Sequence, residues 1–336
     1  MRAVIVGGGL VGCAVALELA RRGVAATVLE RAVPGAEASS AAAGILAPRV
    51  EAHGDASARA LGLESLALYE GWVASLGADV GLVRSGVVVV SGASPDRSAL
   101  SLEGAPLDRL VPGLAARQAW YLPDEGRLDT RRLVGAVHAA AAAAGATFRT
   151  GVEVVALAAG QVELAGGERM EGTVVVCAGA WTPRVAGMGA LPVRPVRGQL
   201  VALGGAPAFS PVVFGPGGYV VPRADELVVG STMEEVGFTR GVTAAGMQEV
   251  LRSAVALLPE VGGREVLRHW SSFRPGSPDG QPLVGRTASG WVASGHFRNG
   301  ILLAPLTARR LVSAMLDDAA LPSAWAPERF GVASRP

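Results

Sequence analysis

The sequence of 336 residues contains no lysine, since all 30 of its basic residues are arginine. Pyridoxal-phosphate enzymes bind their cofactor through a lysine amine, and P-loop nucleotidases need a lysine at the phosphates, so both classes are excluded. Asparagine occurs once, at Asn299. Few amides together with arginine as the basic residue fit a heat-adapted host, but GC-rich coding would give the same composition.

Cysteine is also scarce. Cys13 and Cys177 both lie in apolar segments, where a free thiol packs as a small hydrophobic group. A structural disulfide is therefore not expected. The cysteines and the four histidines show no metal-ligand spacing, so no metal site is predicted.

Two further absences concern partners and location. The net charge is +1 and no basic block occurs, so nucleic acid is not an expected partner. The most apolar stretch, Val134 to Ala146, is alanine-rich and too short to span a bilayer. Glycines and Glu18 interrupt the apolar run that a secretory signal needs. We therefore expect a cytoplasmic protein without a membrane partner.

The N-terminal 31 residues carry the strongest motif of the chain. In order, they predict a buried strand (Ala3 to Val6), a glycine turn (Gly7, Gly9, Gly12), a helix (Val11 to Arg22) and a second apolar strand (Ala25 to Leu29) that ends at Glu30. A glycine triplet alone is weak evidence, because such triplets also occur in ordinary turns. The strand–turn–helix–strand context and the terminal acid make it a dinucleotide-binding fingerprint.

Each residue of the fingerprint has a physical role. Gly7 permits the tight turn, Gly9 lets a pyrophosphate approach the backbone, and Gly12 lets helix and strand pack closely. The N-terminus of the helix offers unpaired N–H groups to the phosphates. Glu30 can accept hydrogen bonds from a ribose hydroxyl, and its charge would repel the 2′-phosphate of NADP. No second fingerprint follows, which favours a flavin over a pyridine-nucleotide reductase with two sites.

The remaining pattern predicts two kinds of sheet. Helices are expected at 59–76, 131–144, 244–258 and 300–315, and an apolar run at 173–177 is typical of a central parallel strand. Residues 80–90 are expected to be extended, with Gly86 as an interruption. Between residues 192 and 274, short strands alternate with Gly/Pro turns, as in an antiparallel sheet. We predict an α/β fold with a discontinuous Rossmann-like cofactor domain (1–78, 130–190 and 275–336). A mainly antiparallel substrate domain (79–129 and 191–274) is inserted into it.

Five segments resemble one family in order along nearly the whole chain. The stretch Gly295-His-Phe-Arg-Asn-Gly-Ile-Leu-Leu-Ala-Pro305 resembles the C-terminal flavin motif of glycine oxidases, which belong to the D-amino-acid oxidase family of FAD-dependent amine oxidases. The other matching segments are Ser40–Ile45, Tyr219–Arg223, Val229–Met233 and Phe273–Gly280. The resemblance implies the D-amino-acid oxidase type of fold, noncovalent FAD, and oxidation of a small amino acid with production of hydrogen peroxide.

The resemblance also implies substrate residues. Arg274 matches the arginine that holds the substrate carboxylate, and Tyr219 matches the tyrosine that supports it. Arg298 matches an arginine beside substrate and flavin, and Met233 matches a methionine of the pocket. One departure is Gly217, where some relatives carry a histidine, and it leaves the substrate range open.

FAD contacts follow from the same resemblance. They are Gly7, Gly9, Leu10, Val11, Gly12, Glu30, Arg31, Ser39, Ala43, Gly44, Ile45, Val152, His296, Phe297, Arg298, Asn299, Gly300, Ile301 and Leu302. Relatives with cysteine-linked flavin attach it late in the chain, and no cysteine follows Cys177.

Plainer roles stand beside these interpretations. Arg274 taken alone could form a structural ion pair, and Tyr219 alone could be an ordinary sheet residue with its hydroxyl at the surface. Arg298 could support the flavin without touching the substrate. His296 could act as a general base, although its motif favours flavin contact.

The expected function is oxidative deamination of glycine and related small amines, such as sarcosine or D-amino acids. The products would be glyoxylate or a keto acid, ammonia or an amine, and hydrogen peroxide, with a possible role in thiamine thiazole synthesis. One alternative is a D-amino-acid or sarcosine oxidase or dehydrogenase that uses another electron acceptor. Another is a flavin-binding partner domain without turnover. By family analogy we expect a homo-oligomer.

Overall fold

The computed structural model describes residues 1–332, so the last four residues of the predicted cofactor domain lie outside the described chain. Its helices are α1 (Leu10–Arg21), α2 (Ala38–Ala41), α3 (Pro48–Glu51), α4 (Ala56–Ala74), α5 (Ala105–Leu110), α6 (Thr130–Ala143), α7 (Ala244–Leu257) and α8 (Gly300–Asp317). Short 3₁₀ helices occur at Gly179–Arg184, Pro259–Gly263, Ser323–Trp325 and Pro327–Phe330.

The strands follow in chain order. They are β1 (Arg2–Val6), β2 (Ala25–Glu30), β3 (Ile45–Leu46), β4 (Val87–Val89), β5 (Leu100–Glu103), β6 (Gln118–Leu122), β7 (Gly126–Arg127), β8 (Thr147–Thr150), β9 (Val154–Ala158), β10 (Gln161–Leu164), β11 (Arg169–Glu171), β12 (Thr173–Val176), β13 (Arg194–Gly204), β14 (Val212–Gly215), β15 (Gly218–Pro222), β16 (Glu226–Gly230), β17 (Val266–Gly276), β18 (Leu283–Thr287) and β19 (Gly290–Ser294).

A six-stranded sheet in the order β18-β19-β12-β1-β2-β8 forms the first half of the molecule. Its strands are parallel except for β18, which runs antiparallel to β19. Successive residues of β1 point to opposite faces of the sheet. Ile5 packs with α1, α6 and α8, whereas Val4 packs with the three-stranded sheet β9–β11. Burial on both faces explains why β1 has a continuous apolar sequence.

An eight-stranded sheet in the order β17-β13-β16-β15-β14-β4-β6-β5 forms the second half. Neighbouring strands are antiparallel except for β14 and β4, which run parallel. The twofold alternation of β15 directs Val220 toward the cluster that includes α7, and Tyr219 toward Ala43 and Ala47 of the first half. The α/β fold with an antiparallel sheet, expected from the sequence, is therefore present.

The structure adds elements that the sequence pattern did not predict. These are the short strands β3, β5, β6, β7, β11, β14 and β18 and the short helices α2, α3 and α5. The segment 80–90 was expected to be extended, but only Val87–Val89 forms a strand. The predicted domain boundaries stay a prediction. None of the helices within residues 1–332 combines the length and apolar character needed to cross a membrane.

A buried carboxyl group lies where α3 meets the second half of the molecule. Glu125 has no exposed surface, and its Oε1 accepts a hydrogen bond of 2.9 Å from the Arg49 backbone N–H. Its Oε2 has no hydrogen-bond partner within the described chain. Burial raises the pKa of Glu125 to about 7; the nearby charge of Asp96 adds to this and Arg49 opposes it.

We predict that Glu125→Gln is more stable relative to wild type at pH 8 than it is at pH 5. Between the ordinary pKa of 4.5 and about 7, the folded protein keeps a proton that the unfolded chain has lost. Wild-type stability therefore falls as pH rises through this range, by about 1.4 kcal/mol per pH unit for one proton. Glutamine keeps an acceptor for Arg49 and does not titrate.

The measurement is the melting temperature of both proteins at half-unit steps from pH 4.5 to 8.5. The difference between variant and wild type should grow up to about pH 7 and then level off. The exposed Glu103→Gln on β5 serves as the matched control. Parallel pH curves for Glu125→Gln and wild type would show that this carboxyl is not perturbed.

Candidate active site

A continuous cleft lies between the six-stranded sheet and the face of the eight-stranded sheet that carries Tyr219. On one side, the cleft is lined by residues within two positions of the C-terminal ends of β1, β2, β12 and β19. These are Gly7, Arg31, Cys177 and His296 with their neighbours. The carboxyl ends of parallel strands meet at one edge of a sheet, and ligands of such folds bind there.

The glycine turn has no room for side chains. Gly7 has a φ of +104°, and a Cβ there would lie 2.6 Å from the carbonyl oxygen of Cys177. A Cβ at Gly12 would lie 2.0 Å from the carbonyl oxygen of Gly7. Gly9 precedes α1 as its N-cap and lines the cleft, so the turn leaves backbone open where a phosphate would approach.

Glu30 lies at the end of β2 and faces the cleft. Its Oε2 accepts a hydrogen bond of 2.7 Å from the Gly8 N–H, and its Oε1 accepts one of 2.8 Å from the Ala32 N–H. A carboxylate oxygen can accept more than one hydrogen bond. The side chain is therefore fixed in place and still able to accept from a ribose hydroxyl.

The C-terminal motif at residues 295–305 leads into α8 at another part of the cleft. Phe297 has a φ of +46° and its N–H donates to the carbonyl of Pro275 at 2.9 Å, which ties this turn to β17. His296 is buried, and its Nε2 lies 3.1 Å from the Thr307 hydroxyl. Burial lowers the pKa of His296 to about 4, so the imidazole is neutral near pH 7.

Arg274 extends from β17 into the cleft wall. Its Nη2 donates to Ser231 Oγ at 2.6 Å, and its Nη1 donates to the Thr232 carbonyl at 3.2 Å. Burial lowers the pKa of Arg274, and the positive charge of Arg298 acts in the same direction. No carboxylate pairs with Arg274 among the ion pairs of residues 1–332, so its charge is available to an anion from outside.

Gly198 on β13 gives Arg274 its space. A Cβ at this position would lie 2.3 Å from Nη1, 2.4 Å from Nη2 and 2.5 Å from Cζ of Arg274. The strand pairing places Gly198 opposite Ser272, two residues before Arg274. The guanidinium therefore lies directly over Gly198. The sequence did not predict a role for this glycine, because nothing along the chain indicates the cross-strand contact.

Arg298 has a partner that Arg274 lacks. Its Nε and Nη2 form two hydrogen bonds with Glu51 of α3, at 2.5 and 2.8 Å. Burial alone would lower the pKa of Arg298, but the charge of Glu51 and its hydrogen bonds outweigh that effect and raise it. Glu51 is a cleft residue that the sequence did not predict.

Most of the predicted site residues meet in this one cleft. Beside those already described, it is lined by Leu10, Val11, Ser39, Ala43, Gly44, Ile45, Val152, Gly300 and Ile301. Gly12, Asn299 and Leu302 belong to the same motifs but are not among the residues of the described chain that line the cleft. Met233 also lies outside that lining, and the residue is 53% exposed.

The lining residues that the sequence did not predict include Ser231, Trp181 and Ser272. Ser231 holds Arg274, and Trp181 carries the Arg31 guanidinium 4.1 Å above its ring. The hydroxyl of Ser272 is buried and has no hydrogen-bond partner within the described chain. A buried polar group without a partner is costly, so Ser272 indicates that a ligand completes this wall.

These features fit FAD. The turn at Gly7–Gly12 and the N-terminus of α1 would hold the pyrophosphate, Glu30 the ribose of the adenosine half, and the N-terminus of α8 the flavin ring. Arg274 would then be available to an anionic substrate in the same cleft. The orphaned Ser272 hydroxyl lies on the same part of the wall.

Comparison with known proteins agrees with this assignment. The glycine oxidase of Geobacillus kaustophilus is 34% identical over 90% of this chain and 89% of its own length. The crystal structure of glycine oxidase from that organism has a TM-score of 0.90 with 30% identity, covering 98% of this chain and 99% of that chain. The bifunctional protein ThiO/ThiG of Synechocystis sp. is 36% identical over 99% of this chain and 54% of its own length.

The chain thus spans about half the length of its bifunctional relatives and nearly the full length of the glycine oxidases. Residues 2–314 match a family model described as FAD dependent oxidoreductase, which covers both sheets and the whole cleft. The protein is therefore a member of this family of FAD-dependent oxidoreductases.

Proposed function

We propose that the protein oxidises glycine, or a similarly small amino acid such as sarcosine, to the imine. When bound, FAD would supply the acceptor for the hydride that leaves the substrate Cα while the amine loses a proton, and O₂ would take up the two electrons and two protons as hydrogen peroxide. Water hydrolyses the imine to glyoxylate and ammonia or, for sarcosine, methylamine. Arg274 carries the proposal, because it is an enclosed cation in the cleft without a carboxylate partner in the described chain.

The carboxylate of an amino acid is the anion that Arg274 fits. A guanidinium can hold two carboxylate oxygens with parallel hydrogen bonds, and Ser231 and the Thr232 carbonyl fix its orientation. Tyr219 lines the same part of the cleft and is positioned to support this binding. The substrate would thereby be oriented with its Cα toward the cofactor, which is the main contribution that the protein needs to make.

The second arginine limits the charge of the substrate. Glu51 neutralises Arg298 and occupies the Nε and Nη2 donors of its guanidinium. One uncompensated positive charge then remains at this end of the cleft, at Arg274. This arrangement favours a substrate with one carboxylate over a substrate with two.

The similarity to the ThiO part of the bifunctional relatives supports one use of the product. We include in the proposal that the imine or glyoxylate supplies thiamine thiazole synthesis. The oxidase reaction can be tested separately from this use of its product, because the reaction requires only the FAD-loaded cleft, the amine and O₂.

We predict that turnover rises toward alkaline pH. Hydride leaves Cα readily when the amine nitrogen keeps its lone pair, so the ammonium form must first lose a proton. The buried His296 is a poor base for this step because burial lowers its pKa to about 4 and Thr307 occupies its Nε2. The kcat/KM of glycine should therefore increase across pH 7 to 10.

The assay is peroxide formation and O₂ consumption with glycine and sarcosine, with peroxide and glyoxylate formed one to one. Trimethylglycine is the control, since its nitrogen has no lone pair at any pH and it should not react. A rate that falls with rising pH would contradict the lone-pair requirement. Dye reduction without O₂ consumption would favour a dehydrogenase instead.

Arg274→Ala should reduce kcat/KM strongly. The substrate carboxylate would be left desolvated and unpaired, at a cost of about 3–5 kcal/mol. This corresponds to a loss of about a hundredfold to several thousandfold. Arg274→Lys should recover only part, because an ammonium cannot form the two parallel hydrogen bonds. Kinetics with glycine and the flavin-to-protein absorbance ratio provide the test; near-normal turnover, or loss of flavin with activity, would make Arg274 structural.

Gly198→Ala should reproduce much of the loss in kcat/KM without removing a charged group. The added Cβ would meet the guanidinium of Arg274 at 2.3–2.5 Å and displace it. The double variant Gly198→Ala/Arg274→Ala should be hardly worse than Arg274→Ala, because both changes remove the same interaction. Gly71→Ala is the control, since a Cβ at that helical glycine meets no atom within 4 Å. Additive losses in the double variant would mean that Gly198 acts independently of Arg274.

A further inference from the structure

The N-terminal part of α8 contains a proline at a position where the helix would use a backbone N–H as a hydrogen-bond donor. Pro305 lies inside α8 and has no N–H, so the carbonyl four residues earlier, that of Ile301, loses its intrahelical partner. Ile301 is buried at the cleft. A buried carbonyl without a donor is costly, so this end of α8 depends on a donor from elsewhere in the fold.

A tyrosine from α4 supplies that donor. The hydroxyl of Tyr69 donates a hydrogen bond to the Ile301 carbonyl, and Tyr69 has no exposed surface. One turn earlier on α4, Ser65 Oγ donates to the Leu302 carbonyl at 2.6 Å. The two contacts differ, because helix geometry gives the Leu302 carbonyl the N–H of Leu306 as a partner, whereas Pro305 gives the Ile301 carbonyl none.

The turn held in this way is the one that would face the FAD. Gly300 and Ile301 line the cleft, and no side chain caps the helix at Asn299. The N–H groups of the first three residues of α8 therefore lack intrahelical partners. They also form the positive end of the helix dipole, which stabilises negative charge placed before it.

We propose that Tyr69 is a positioning residue for the flavin. Its hydroxyl replaces the N–H that Pro305 lacks and so holds the N-terminal turn of α8 in the place where its N–H groups meet the cofactor. The role depends on the FAD site of this family and is independent of which amine is oxidised. It acts from behind the helix, through Ile301, without touching cofactor or substrate.

Tyr69→Phe tests the hydroxyl, and Ser65→Ala is the matched control on the same helix. In Tyr69→Phe the Ile301 carbonyl is unsatisfied, so the first turn of α8 should shift. We expect FAD to bind the apoprotein about tenfold or more weakly, as an unmet buried carbonyl predicts. The midpoint potential of the bound flavin should become more negative. In Ser65→Ala both quantities should stay near wild type, since the Leu302 carbonyl keeps its helical donor.

Pro305→Ala supplies the rescue. An alanine at 305 restores the backbone N–H to the Ile301 carbonyl, so Tyr69→Phe/Pro305→Ala should regain the FAD affinity and the potential of Pro305→Ala alone. A melting temperature that falls in Tyr69→Phe while FAD affinity and potential remain unchanged would reduce Tyr69 to a packing residue and overturn the proposal.

The double variant also tests the proposed role of the Tyr69 hydroxyl if Tyr69→Phe alone does not fold. Recovery of folding and FAD binding in Tyr69→Phe/Pro305→Ala would show that the hydroxyl is needed because of the proline. Failure of the double variant, with Pro305→Ala folded, would show that Tyr69 has a different function. None of these outcomes depends on amine turnover, so the proposed substrate could be wrong while this proposal holds.

Discussion

The charge of Arg274 is the constraint on which the substrate end of the cleft depends. Enclosing a guanidinium within protein is costly unless hydrogen bonds and a counter-charge compensate. Ser231 and the Thr232 carbonyl provide the hydrogen bonds, and Gly198 provides the space. The counter-charge is missing from the described chain. A site built in this way is complete when an anion enters, and this links the stability of the site to the binding of a carboxylate.

The parts of the cleft that would hold the pyrophosphate and the flavin ring rely on backbone N–H groups at two helix N-termini. Two helix N-termini, those of α1 and α8, face one cleft, and each is held by hydrogen bonds from a distant part of the chain. Ser39 accepts from the Leu10 N–H at the start of α1, and Tyr69 donates to the Ile301 carbonyl at the start of α8. Both contacts fix the position of a helix end without adding charge to the cleft.

The sequence predicted those parts of the site whose residues are neighbours along the chain. The glycine turn, Glu30 and the motif at 295–305 each carry their own local pattern, so the sequence could assign them to one site, where the structure brings them together. Their individual roles stay predictions. Gly198 and Glu51 could not be found in this way, because their importance comes from contacts across strands and between distant helices. The same reason explains the missed strands: β14 and β18 are short, and their pairing partners, not their sequences, define them.

Arg274 and Arg298 are the same residue type in two different surroundings. Both lie at the same end of the cleft, and the positive charge of Arg298 lowers the pKa of Arg274. Glu51 binds two donors of Arg298 and neutralises it, so Arg298 ties α3 to the C-terminal motif. Arg274 has neutral partners and keeps its net charge. The sequence left the role of Arg298 open, and the position of a single carboxylate favours the structural role for it and the substrate role for Arg274.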